Sequence, residues 1–302
     1  MLHVDHLRKE FGSVTAVRDV SFAIPTNSTF GLIGPNGAGK TTTMRMVLGI
    51  LTPDSGSLTW KGMPVDGAMR RRFGYLPEER GLYKQMKVRD ILRFYAELKG
   101  CRDSKSEIDS WLERFGLAEW AGKRVEALSK GMAQKVQFIA TVVAKPRLVL
   151  LDEPFSGLDP VNAVVLREAV LDLKREGTTV IFSTHDMAVA EKMCDFIFMI
   201  YKGKKVLDGT LEAIQEEYGS DTIRVRMDGQ TRPLDDLPGV VKVTDFGRLQ
   251  ELRLAQGADS QHVLGELMAR GKVVHFELAR PSLQDIFVRI AAPDLEENNQ
   301  PH

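Results

Sequence analysis

The sequence predicts an α/β fold: a parallel sheet interrupted by a helical block and followed by a small α+β unit. Three observations predict it. Short apolar runs at 30–33, 148–151, 179–183 and 196–201 read as buried strands. Helical patterns at 160–175 and 186–193 separate the last three of these runs, and that alternation favours parallel strands covered on both faces. Between them, residues 82–126 carry helical periodicity, with Val88, Ile91, Leu92, Tyr95 and Leu98 on one face.

In chain order, residues 2–33 alternate apolar and polar, with strands at 14–24 and 29–33, then at 56–60 and 73–76. Helices follow at 88–98, 108–115 and 131–144. Past residue 220 the character changes: strands fit 222–227, 240–246, 250–254 and 273–278, and helices fit 260–270 and 282–290. We therefore expect one domain over 1–215, its helical part at about 82–145, an accessory α+β domain over 220–290, and a disordered tail over 291–302.

The chain has 302 residues, 41 basic and 41 acidic, so no global field steers it to nucleic acid. Its two cysteines, Cys101 and Cys194, lie at no metal-ligand spacing, which fits a reduced, cytosolic setting. No apolar run approaches the ~18 residues that span a bilayer, and the N-terminus lacks a signal-peptide core. Any membrane crossing falls to another chain.

The chemistry starts at Gly34-Pro35-Asn36-Gly37-Ala38-Gly39-Lys40-Thr41, followed by Thr42. This G-x-x-x-x-G-K-[ST] pattern sits between the apolar run 30–33 and a helical pattern at 42–50. Its glycines let successive N–H groups turn toward an anion, Lys40 brings a point charge to the β- and γ-phosphates, and Thr41 offers a hydroxyl to Mg²⁺. The run 148–151 ends in Asp152-Glu153-Pro154. Asp152 emerges where α/β folds bind ligands and suits Mg²⁺ through a water; Glu153 is placed to polarise an attacking water. Leu128-Ser129-Lys130-Gly131-Met132 opens the helix at 131, where Ser129 is either a plain cap or a phosphate grip. Ser183-Thr184-His185-Asp186 closes another strand, with His185 as a neutral donor to the γ-phosphate or a structural histidine.

In this order the motifs resemble the ATP-binding subunit of an ABC transporter, over residues 1 to about 215. The resemblance implies a P-loop NTPase core with an inserted helical subdomain and an antiparallel β subdomain. It implies ATP and Mg²⁺ as ligands, with Lys40, Glu153 and His185 catalytic and Thr41, Glu78 and Asp152 at the metal. Residues 34–42 then bind the phosphates, and Phe11 stacks on adenine, although Phe11 also reads as an edge-strand core residue. Two such subunits, identical or different, face each other, so that Ser129 and Gly131 reach the partner's ATP and Asp159 lies at the interface. A transmembrane permease completes the assembly and holds this subunit to the inner face of the cell membrane, and Leu82, Tyr83 and Met86 are the expected contact.

The chain departs from the family where Lys130 and Met132 stand in the signature and where Glu78 replaces the usual glutamine. Both variants, and Pro281-Ser282-Leu283-Gln284-Asp285-Ile286-Phe287, are similar to the sodium- and drug-exporter branch. The alternatives are a non-transport regulatory ATPase of the same family and an ATP-binding module that barely hydrolyses. A GTPase lacks support because no Asn-Lys-x-Asp is present, and the long helical insertion speaks against a simple kinase.

Overall fold

The computed structural model describes residues 1–298 except 80, 220–221, 230–232, 248 and 256. The chain divides into two compact units, Met1–Thr210 and Leu211–His302.

A six-stranded sheet runs through the first unit in the order Lys204–Gly209, Phe196–Tyr201, Thr29–Ile33, Thr179–Thr184, Leu148–Asp152, Phe73–Leu76. The last five strands are mutually parallel, and Lys204–Gly209 pairs antiparallel at one edge. The period of two sorts the central side chains between two cores. Val149, Leu151, Val180 and Phe182 face a cluster built from the helices Val88–Leu98, Lys105–Arg114, Lys130–Val142 and Pro160–Arg175. Leu148, Leu150 and Ile181 point the other way, into a cluster with Met44, Met46 and Val47 of the helix Lys40–Val47. That second face is closed by an antiparallel sheet ordered Val14–Ile24, Leu2–Phe11, Ser55–Trp60, Met63–Pro64. Leu2, Val4, Leu7, Val17, Val20 and Trp60 supply its buried side. Among the described residues, no helix is long and apolar enough to cross a membrane.

The edge strand Lys204–Gly209 was not read from the sequence, because its residues are largely exposed and charged, as edge strands often are. In the second unit an antiparallel sheet is ordered Val240–Asp245, Gln250–Leu254, Thr222–Asp228, Lys272–Ala279. Ile223, Val225, Leu252 and Leu254 pack there with Val263 and Leu267 of the helix Ser260–Arg270. Two helices differ from expectation. Leu211–Glu217 belongs to this unit and was not foreseen, and Leu283–Asn298 runs on through residues expected to be unstructured. Ala291, Ala292, Leu295, Glu296 and Glu297 in that stretch favour helix, whereas Pro293 within it opposes helix and helps to account for the sequence reading. Residues 299–302 of the expected tail lie outside the described residues.

Candidate nucleotide and hydrolysis site

The strand Thr29–Ile33 ends in the glycine-rich loop, and the helix Lys40–Val47 leaves it, two residues earlier than the pattern at 42–50 indicated. The loop needs glycine where it crosses its neighbours. Gly34 has φ 152° and an added Cβ would lie 2.1 Å from the carbonyl oxygen of Ile200; Gly39 has φ 109° and a Cβ there would lie 2.5 Å from that of Ala16. Backbone bonds pin both ends: the Gly34 N–H donates to Thr184 O at 3.2 Å, and the Gly203 N–H donates to Ala38 O at 3.0 Å. Residues 36–42 line a cavity of 230 Å³ together with Ala16, Glu78 and Glu153. Asn36, Gly37, Ala38, Gly39, Lys40, Thr41 and Thr42 thus share one concave surface.

Lys40 is buried, and its ammonium donates to the carbonyls of Gly34 at 2.7 Å and Pro35 at 3.1 Å. It also lies 3.4 Å from Glu153 Oε1. Parallel register brings Asp152 beside Ser183. The Ser183 hydroxyl donates to Asp152 Oδ1 at 2.5 Å and accepts the Glu153 N–H at 3.0 Å. Thr41 donates its hydroxyl to the same Oδ1 at 3.1 Å, whereas Asp152 Oδ2 is buried with no hydrogen-bond partner. Glu153, 8% exposed, has φ 47°, a conformation a non-glycine residue holds only under constraint. Its Oε2 lies 3.0 Å from His185 Nδ1, on a half-exposed imidazole. Two buried carboxylates side by side are costly unless paired, and Lys40, Ser183, Thr41 and His185 provide the pairing. Burial, with the charge of Asp152 adding to it, pushes the Tyr75 phenol up, so it stays neutral beside them.

A second cavity, of 440 Å³, adjoins this cluster and is lined by Glu78, Gln134, Asp152, Glu153 and Ser156 among others. Glu78 therefore borders both cavities. Ser183 and Gln134 were not foreseen as site residues. For Ser183 the usable signal was alignment of the carboxyl ends of parallel strands; for Gln134 the sequence offers none beyond a polar residue on an apolar helix.

The remaining sequence candidates lie elsewhere. Ser129 caps the helix Lys130–Val142, accepting the Met132 N–H at 3.2 Å. Gly131 sits against Asn162, whose backbone N–H donates at 3.0 Å, and side-chain amide at 2.5 Å, to Asp159. Those bonds hold the exposed Asp159 carboxyl below its ordinary range. None of Ser129, Gly131 and Asp159 lines this chain's own phosphate-loop cavity. Phe11 is 47% exposed, so the core reading of it is wrong; the Lys9 ammonium stands 5.6 Å from its ring centre. Of the three side chains expected at the membrane partner, Leu82 and Met86 pack onto the helical core and only Tyr83 is exposed.

A phosphate loop beside a strand ending in paired carboxylates defines a nucleotide-binding cassette. Comparison with known proteins gives the family. Residues 17–156 match the ABC transporter family model, and residues 209–291 match that of the ATP-binding protein DrrA1-3-like C-terminal domain. The uncharacterized ABC transporter ATP-binding protein YhaQ of Bacillus subtilis (strain 168) is 45% identical over 95% of this chain and 97% of its own. The Nod factor export ATP-binding protein I of Rhizobium sp. (strain N33) is 34% identical over 96% of each chain. A solved ATP-binding subunit of an ABC transporter superposes with a TM-score of 0.68 at 32% identity, over 72% of this chain and 93% of that one. This chain belongs to the ABC transporter ATP-binding proteins. Proteins of this family bind ATP, and the C-terminal match extends beyond the cassette itself.

Proposed function

We propose that this subunit hydrolyses ATP to drive export through a separate transmembrane permease. One observation carries the hydrolytic reading: Glu153 is buried at the end of the strand Leu148–Asp152, between Lys40 Nζ at 3.4 Å and His185 Nδ1 at 3.0 Å, on the wall of the phosphate-loop cavity. The N–H groups of the loop and Lys40 hold the phosphates. Glu153 takes a proton from water as its oxygen attacks the γ-phosphorus and the bond to the β-bridging oxygen breaks. His185 keeps Glu153 Oε2 in place.

The site suits Mg²⁺ by its oxygen donors: Asp152 Oδ2 is buried and unpartnered, and the Thr41 hydroxyl is 3.1 Å from the other oxygen of the same carboxylate. Thr41 and Asp152, with Glu78 at the cavity wall, would hold the ion, which supplies charge neutralisation to the phosphates when bound. Ser129, Gly131 and Asp159 form the surface offered to a second ATP-binding subunit. The membrane partner docks at exposed Tyr83 and Leu98, with Phe94 stacked edge-on to Tyr83 at 6.0 Å. Export is supported by the relative named for Nod factor export and by one named for linearmycin resistance.

Phosphate release from Mg·ATP tests the catalytic claim. Lys40→Ala should abolish it by weakening nucleotide binding. Glu153→Gln should bind ATP and accumulate as a dimer without turnover; a monomeric, active Glu153→Gln refutes the role of Glu153. Co-purification with a multi-span membrane protein, lost on Tyr83→Glu with basal turnover intact, tests the permease.

A further inference from the structure

We propose that Gln134 is a positioning residue for the hydrolytic carboxylate; this rests on the reading of Glu153 above. Gln134 lies in the second turn of the helix Lys130–Val142 and is 8% exposed. Its amide N–H donates to the carbonyl of Pro154 at 2.6 Å, one residue beyond Glu153. On the other side of Glu153, its own N–H is taken by Ser183 Oγ at 3.0 Å. The strained φ of 47° at Glu153 is therefore held by Ser183 on its own N–H, by the Ser156 N–H donating to its own carbonyl at 3.1 Å, and by the Gln134 bond one residue further on.

Packing does not explain the amide. Gln134 Oε1 is buried with no hydrogen-bond partner, a desolvation cost that a methionine of similar shape would avoid. A buried polar group kept at such a cost, on the wall of the cavity that Glu78, Asp152 and Glu153 share, is explained by the one bond it makes. That bond also links two parts of the proposed cycle. The helix presents Ser129 at its cap, and one turn later it holds the backbone beside Glu153. A shift of the cap thus reaches the carboxylate through a single side chain.

The test compares the full chain with Gln134→Met and with Gln134→Glu, which keeps the shape but removes the donor. Both should lower kcat by about tenfold to a hundredfold, as small misplacements of a reacting group do, while KM for ATP stays within about twofold. Without nucleotide, amide exchange over residues 155–158 should quicken at least about threefold in both variants. A kcat within about twofold of the parent in either variant overturns the proposal, as does a loss of kcat matched by a loss of ATP binding and melting temperature. Should the parent release no phosphate, or Glu153→Gln release it at the parent rate, the reading of Glu153 fails instead. The exchange measurement still decides whether Gln134 restrains that segment.

Discussion

The two units of this chain handle buried polarity in opposite ways. In the first, Lys40, Asp152, Glu153, Ser183, Gln134 and Gln137 are all buried, most of them around two adjoining cavities. In the second, Thr222 is the one buried polar or charged side chain among the described residues, and the charges stay at the surface or half-buried, as in the Arg224–Glu251 pair at 2.8 Å. Removing an ion from water costs several kcal/mol even after relaxation. A fold bears that cost where charge has work to do on a ligand. The second unit, with its ordinary core of Ile223, Val225, Leu252 and Leu267, shows no such expense.

Four measurements break or sharpen the contrast. Glu153→Gln should cut turnover by about 10²–10⁴-fold while changing the melting temperature little, because the neutral amide relieves the crowding with Asp152 as it gives up the pairing with Lys40. A lower melting temperature would mean the carboxylate serves the fold. Leu267→Ala should do the reverse, costing about 2–5 kcal/mol of stability in denaturant unfolding of the second unit while turnover at moderate temperature is unchanged. A parallel loss of turnover would show the second unit taking part in hydrolysis. Asp159→Ala removes a helix cap and should lower the unfolding midpoint of the first unit slightly. The smallest effect concerns Cys194, whose Sγ packs at Gly31 and whose thiol burial pushes well above its ordinary range. It should resist alkylation in the native protein, whereas fast labelling would mean this part of the sheet opens locally.

The fold was legible where burial dominates. The strands Leu148–Asp152 and Thr179–Thr184 are buried at every position, and their apolar centres, 148–151 and 180–182, mark them in the sequence. The phosphate loop was legible because its glycines are fixed by geometry rather than by preference. What escaped was set by tertiary packing. The helix Lys40–Val47 starts directly at Gly39, in left-handed conformation and without a side-chain cap, so no polar residue marks it. Ser183 became a partner of Asp152 through sheet register, and Gln134 reaches Pro154 across 20 positions of sequence. Leu82 and Met86 looked like surface anchors because three apolar side chains in a loop carry no periodicity to say which turn inward.

Lys40 lies against the carbonyls of Gly34 and Pro35. An arriving phosphate must compete with acceptors that the loop already supplies. Its grip is then the difference between two sets of hydrogen bonds rather than the full strength of one, which caps affinity. Under the proposed hydrolysis, such moderation favours release of the spent nucleotide.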